Sequence, residues 1–165
     1  MSVRAFVAIG SNLGDRAARC RQAADQLSRL SDTQLVRCSA WVETAPAEGV
    51  QGGTFLNGVA ELATLLAPRR LLEALRQIET ALGRPVCHSV GAPRSIDLDL
   101  LLYGELVLQE PDLVIPHPRM AGRRFVLGPL ATIAPEVRHP VLGRTAAELL
   151  KSLGSDSVAP PEAAA

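Results

Sequence analysis

The sequence predicts an α+β fold, a ferredoxin-like α/β sandwich in which an antiparallel sheet is backed by helices. Three observations carry this. Apolar runs of strand length alternate with helical spacing in the order strand–helix–strand–strand–helix–strand. Glycine and proline stand at the boundaries between them. The chain has 165 residues, 47% hydrophobic but only 3% aromatic, which suits one domain with an aliphatic core.

Taken in order, Val3–Ile9 reads as a buried strand closed by Gly10-Ser11-Asn12-Leu13-Gly14-Asp15. A helix follows to about Leu30, with Leu27 and Leu30 on its inner face. Gln34–Thr44 alternates as a second strand, Ala45–Thr54 is a long Gly-rich loop, and Phe55–Leu65 is a third strand. Pro68 stands where the first helical turn tolerates it. Leu71, Leu72, Leu75, Ile78 and Leu82 keep helical spacing up to Gly83, a suitable stop. Arg84–Pro93 is a second long loop, and Ser95–Tyr103 is a strand bearing two acids. Gly104-Glu105 turns into Leu106–Leu108, which predicts a hairpin, and Pro111–Pro118 reads as irregular. A short helix or turn carries Arg123, Arg124 and Phe125, and Thr145–Leu153 is a last helix. Residues 1–154 form the expected single domain, with the Ala/Pro-rich 155–165 as a disordered tail.

Seventeen basic residues balance seventeen acidic ones, which argues against broad electrostatic binding of nucleic acid. Cys20, Cys38 and Cys87 are odd in number and lack metal-ligand spacing, as expected in a reducing, cytoplasmic setting. No apolar stretch approaches membrane-spanning length, and a strand begins at Val3 without a signal peptide, so no membrane association is expected.

The chemistry centres on Arg94-Ser95-Ile96-Asp97-Leu98-Asp99-Leu100. On a strand, Asp97 and Asp99 share a face while Ile96, Leu98 and Leu100 pack on the other. Two carboxylates on one face repel each other and lose hydration, so they need a partner. Mg²⁺, alone or as a pair, is the simplest one, and Arg94 suits a phosphate carried by that metal. The plainer alternative is a pair of solvent-facing acids salt-bridged to Arg94.

Three further segments point the same way. Gly10–Gly14 ends a strand and opens a helix, where backbone N–H groups meet anions, although glycine and asparagine serve an ordinary turn equally well. Asn57 offers a donor and an acceptor in one plane for reading a heterocycle, and Phe55 can stack on a flat ring. His117, between Pro116 and Pro118 and close to Arg119, Arg123 and Arg124, is rigidly held and suits a polyphosphate neighbour.

Together these segments resemble the 6-hydroxymethyl-7,8-dihydropterin pyrophosphokinases of folate biosynthesis, from Val3 to about Leu150. The residues that carry the resemblance are Ala8–Gly14, Glu43-Thr44-Ala45-Pro46, Phe55-Leu56-Asn57, Ile78-Glu79, Gly83-Arg84, Pro93–Asp99, Ile115–Met120 and Arg123–Leu127. The resemblance implies a ferredoxin-like monomer that transfers the β,γ-pyrophosphate of ATP to the hydroxymethyl oxygen of the pterin and releases AMP. It assigns Asp97 and Asp99 to two Mg²⁺ ions, and Arg84 and Arg94 to the phosphates as catalytic cations. It places Glu79, His117 and Arg123 on the nucleotide side, with Leu100 lining the adenine. Thr44, Ala45, Ala47 and Asn57 would contact the pterin, and Phe55 and Phe125 would sandwich its ring.

This chain departs from the family in the second loop. Val86 stands where a further arginine is usual, and Gly91-Ala92 replaces Trp-Gly. A second reading is therefore a paralogue that binds pterin and ATP with impaired turnover. A Mg²⁺-dependent nucleotidyltransferase is a third, ranked lower because more than eighty residues separate Gly10-Ser11 from the acids where that class keeps them close.

Overall fold

The computed structural model describes residues 1–45, 54–83 and 96–154. β1 (Val3–Ser11) runs through the middle of the sheet because both its faces are apolar. Ala5, Val7 and Ile9 pack into one core cluster and Phe6 into the other. β1 pairs antiparallel with β4 (Phe55–Thr64) on one side and β5 (Asp97–Tyr103) on the other. β2 (Thr33–Cys38) pairs antiparallel with the far side of β4, giving the order β2–β4–β1–β5. That is the ferredoxin-like sheet expected from the alternation of elements.

The predicted second strand is broken in two. β3 (Val42–Thr44) also pairs with β4, and Ser39–Trp41 lies between β2 and β3. The Ser39 side chain explains the break: Val59 N–H donates to Ser39 Oγ at 2.9 Å while Ser39 N–H donates to Val59 O at 2.9 Å. The hydroxyl thus closes the ladder where the backbone turns away. The turn lays Trp41 over Gly58, where a Cβ would come within 2.5 Å of the indole carbons.

Two helices cover one face of the sheet. α1 (Arg16–Ser28) buries Cys20, Ala23 and Leu27, one stripe of a 3.6-residue period. α2 (Pro68–Ala81) begins on its proline and buries Leu71, Leu75 and Ile78. The other face is covered by α3 (Arg124–Ile133) and α4 (Ala146–Ser152), through Val126, Leu130 and Ala146. α3 is longer than the predicted short helix or turn and holds Pro129 internally. α4 matches its prediction and opens on a capping box. Glu148 N–H donates to Thr145 Oγ1 at 3.1 Å, and Thr145 N–H to Glu148 Oε1 at 2.9 Å.

The predicted hairpin is displaced. Leu106 and Val107 form no return strand against β5; instead β6 (Leu108–Glu110) and β7 (Leu113–Ile115) form a separate two-stranded sheet across Pro111-Asp112. Arg69 of α2 ties down that turn through Glu110 and through Asp112, the latter at 2.9 Å. Among the described residues, no helix is long and apolar enough to cross a membrane.

Candidate active site

The sheet register builds the site. Gly10 pairs with Asp97 on one side and Asn57 on the other, so acid, glycine and amide form a row across β5, β1 and β4. Asp99 occupies the next row, opposite Ala8. Directly paired residues share a face. Both acids therefore lie on the α3 side, while Leu98 and Leu100 belong to the core beneath α1 and α2. The same-face reading of Asp97 and Asp99 holds. Leu100 is 4% exposed in that core, so its side chain points away from the acid face.

The acids are under electrostatic stress. Burial, followed by the negative charge of Asp97, raises the Asp99 carboxyl from 3.8 to about 7; Arg76 and Arg123 pull the other way without offsetting it. A carboxyl raised on folding adds stability that is complete below its unfolded value and lost as pH rises through its folded one. Here that window runs from about 4 to about 7. Above it the ionised Asp99 carboxylate is a liability that a bound divalent cation would relieve. In the metal-free protein at pH 8, Asp99→Asn is expected to stabilise by ~1 kcal/mol, roughly 2–4 °C in Tm. Mg²⁺ should raise the Tm of the parent but not of the variant. Equal Mg²⁺ responses in thermal unfolding would remove Asp99 from the cation's ligands.

The peptide between the two acids is held from outside the sheet. Leu98 N–H donates to Glu79 Oε2 at 2.7 Å, and Arg76 Nη1 donates both to Leu98 O at 3.0 Å and to Glu79 Oε1 at 3.1 Å. Among the described residues β5 is an edge strand, with no further strand beside its outward N–H and C=O groups. Glu79 and Arg76 stand in for one, with Glu79 only 4% exposed. Glu79 thus enters the site as a support of β5. Arg76 escaped the sequence reading, although its spacing of three residues from Glu79 on a helix was the available signal.

His117 follows the cis Ile115–Pro116 peptide, and its N–H donates to Leu101 O at 2.9 Å, two residues beyond Asp99. Burial, with the charges of Arg123 and Arg119, lowers its imidazole from 6.5 to about 4; Asp97 opposes this. Both causes favour the neutral ring in the ligand-free protein. Its Nδ1 accepts from Arg119 N–H at 3.1 Å, which leaves the proton on Nε2 as a donor. Arg123 lies over the Phe125 ring, 5.4 Å from its centroid, at the start of α3.

At the other end of the row, Asn57 Nδ2 donates to Thr44 Oγ1 at 2.7 Å, which orients the amide. A Cβ on Gly10 would fall 2.8 Å from Asn57 Oδ1 and 3.8 Å from the Phe55 ring, so the glycine leaves room for the Asn57 amide to lie over β1. Thr44 and Phe55 are paired in register, and Ala45 is exposed at the end of β3. Ala47, Arg84, Val86, Gly91, Ala92 and Arg94 lie outside the described residues.

Acids, a neutral donor and arginines at one end of a row, and an oriented amide with the Phe55 ring at the other, suit a class: an α+β transferase joining an anionic substrate to a flat polar one. Comparison with known proteins narrows this. The family model described as 7,8-dihydro-6-hydroxymethylpterin-pyrophosphokinase matches residues 6–135, and the chain belongs to that family. It is 45% identical over 150 residues to the 2-amino-4-hydroxy-6-hydroxymethyldihydropteridine pyrophosphokinase of Pseudomonas aeruginosa, covering 91% of each chain. It is 41% identical over 133 residues to the enzyme of the same name from Bacillus subtilis, covering 81% of this chain and 79% of that one. Among solved structures, wild-type HPPK-DHPS of Plasmodium falciparum superposes with a TM-score of 0.75 at 15% identity, covering 95% of this chain and 46% of that one. That likeness shows the fold, and this chain spans less than half of the longer protein.

Proposed function

We propose that this chain transfers the β,γ-pyrophosphate of ATP to the hydroxymethyl oxygen of 6-hydroxymethyl-7,8-dihydropterin and releases AMP. The observation that carries the reading is the Asp97–Gly10–Asn57 row. It sets the acids and the heterocycle-reading amide on one face of the sheet, on either side of a glycine. The relatives at 45% and 41% identity bear the name of the pyrophosphokinase, which favours turnover over the binding-only alternative.

Asp97 and Asp99 would hold two Mg²⁺ ions. Their hard-oxygen donor set fits that cation, and among the described residues no third acid, histidine or cysteine joins them in a metal cluster. A cation bound there supplies charge screening on the phosphates and acidifies the attacking hydroxyl. Glu79 and Arg76 hold the peptide between the acids. Arg123 and the Nε2–H of His117 face the nucleotide, joined by the Leu100 backbone, while Arg84 and Arg94 bind the phosphates. Asn57, set by Thr44, reads the edge of the pterin, Phe55 and Phe125 cover its faces, and Ala45 and Ala47 border it. In the reaction the hydroxymethyl oxygen bonds to the β-phosphorus and loses its proton, and the bond from that phosphorus to the bridging oxygen of AMP breaks. The free thiols Cys20 and Cys38 support a cytosolic setting, and we take the working form to be the monomer.

The test is AMP release from ATP and Mg²⁺ with and without the pterin. AMP formed only with pterin present is the expected result. Pterin binding by calorimetry without AMP would establish the binding paralogue instead.

A further inference from the structure

Arg16 is the first residue of α1, where a cation opposes the helix dipole, and no acidic residue accompanies it in the first turn. Helix stability therefore does not explain it. Its partners lie across the molecule. Nη1 donates to Thr54 O at 2.8 Å and to Thr54 Oγ1 at 2.6 Å, and Nη2 reaches Glu43 Oε2 at 3.2 Å. Glu43 precedes Thr44, and Thr54 precedes Phe55, its register partner. One guanidinium thus spans the end of β3 and the start of β4, on either side of residues 46–53.

The turn before α1 aims the side chain there. Gly14 adopts the left-handed conformation with φ +70°, and Asp15 Oδ1 accepts from Ala18 N–H at 3.1 Å, fixing the first helical turn. The Arg16 side chain is 28% exposed, and two of its three bonds to the described residues go to the uncharged Thr54. Among these, the Glu43 contact is the one that salt screens. A fork of N–H groups can serve both strand ends at once, which a single ammonium cannot.

We propose that Arg16 is a positioning residue for the pterin: by clamping Glu43 and Thr54 it holds β3 and β4 so that Thr44 keeps the Asn57 amide oriented and Phe55 stays in register. The inference rests on the assignment of Thr44, Phe55 and Asn57 to the pterin.

The test uses the full chain and its Arg16→Met, Arg16→Lys and Asn57→Ala variants. Pterin is titrated in the presence of Mg²⁺ and α,β-methylene-ATP, the nucleotide is titrated alone, and Tm is recorded. Arg16→Met is expected to weaken pterin binding about tenfold while nucleotide affinity stays within about twofold, and Arg16→Lys to recover part of the loss. Arg16→Met with parental pterin affinity, beside a weakened Asn57→Ala, overturns the inference and leaves the pterin subsite standing. Equal losses for both ligands tracking a lower Tm also overturn it, since the residue then serves the fold alone. Asn57→Ala binding pterin as tightly as the parent overturns the subsite reading, and the inference with it.

Discussion

Asp97→Ala is expected to lower the rate of AMP formation by about a thousandfold, equivalent to ~4 kcal/mol of transition-state stabilisation, while the protein stays folded. The two effects separate because of where Asp97 sits. It begins β5 on the partly exposed face at the end of the sheet, opposite a glycine, so removing its carboxylate opens no cavity among the buried leucines. It also removes the like charge that helps to raise Asp99, whose carboxyl should fall toward its ordinary range. Stability should therefore stay within about 1 kcal/mol of the parent. Steady-state AMP formation beside a thermal melt checks both halves. A folded variant that turns over at nearly the parental rate would sink the assignment of Asp97 to the chemistry.

Glu79→Leu is expected to be the most costly substitution near the site. It strands the Leu98 N–H in a buried position and takes from Arg76 the carboxylate that holds it against Leu98 O. Losing a charged acceptor of this kind costs ~2–3 kcal/mol. For a chain of this size each kcal/mol lowers Tm by roughly 2–4 °C. Turnover should fall as well, because Leu98 lies between the two acids and any shift of its peptide moves both. Glu79→Gln keeps an oxygen for Leu98 N–H and should retain most of the stability. If Glu79→Leu melts with the parent, the edge of β5 is held by something other than this pair.

Some of this was plain in the sequence, and the failures have physical reasons. α2 could be read because Leu71, Leu72, Leu75, Ile78 and Leu82 keep the helical period, and α1 was placed through Leu27 and Leu30, although Cys20 and Ala23 complete its buried stripe. The facing of Asp97 and Asp99 could be read because a period of two is a local property of a strand. Their alignment with Asn57 could not, since it needs the order β4–β1–β5, which depends on how distant segments pair. The break between β2 and β3 was hidden because Gln34–Thr44 alternates smoothly, while the Ser39 hydroxyl that ends the pairing acts on Val59, a partner invisible in the local pattern. The β6–β7 hairpin was misplaced although Pro111-Asp112 is a good turn, because Gly104-Glu105 offered an earlier one. Gly128 and Pro129 disguised α3, which is kept helical by burial of Val126, Leu127 and Leu130. Arg16 and Arg76 were lost among the seventeen basic residues, since a lone arginine shows nothing of what it will reach across the fold.

Trp41 is the one tryptophan in the chain. It rests on Gly58, next in sequence to Asn57, and directly precedes the strand that supplies Thr44. The enzyme therefore carries a built-in optical reporter of the β3–β4 junction, behind Asn57 on the α1–α2 face of the sheet, with a single indole and no label required. A change in its emission on adding pterin can be assigned to the β3–β4 junction, and its absence on adding nucleotide alone would tell the two binding events apart in real time.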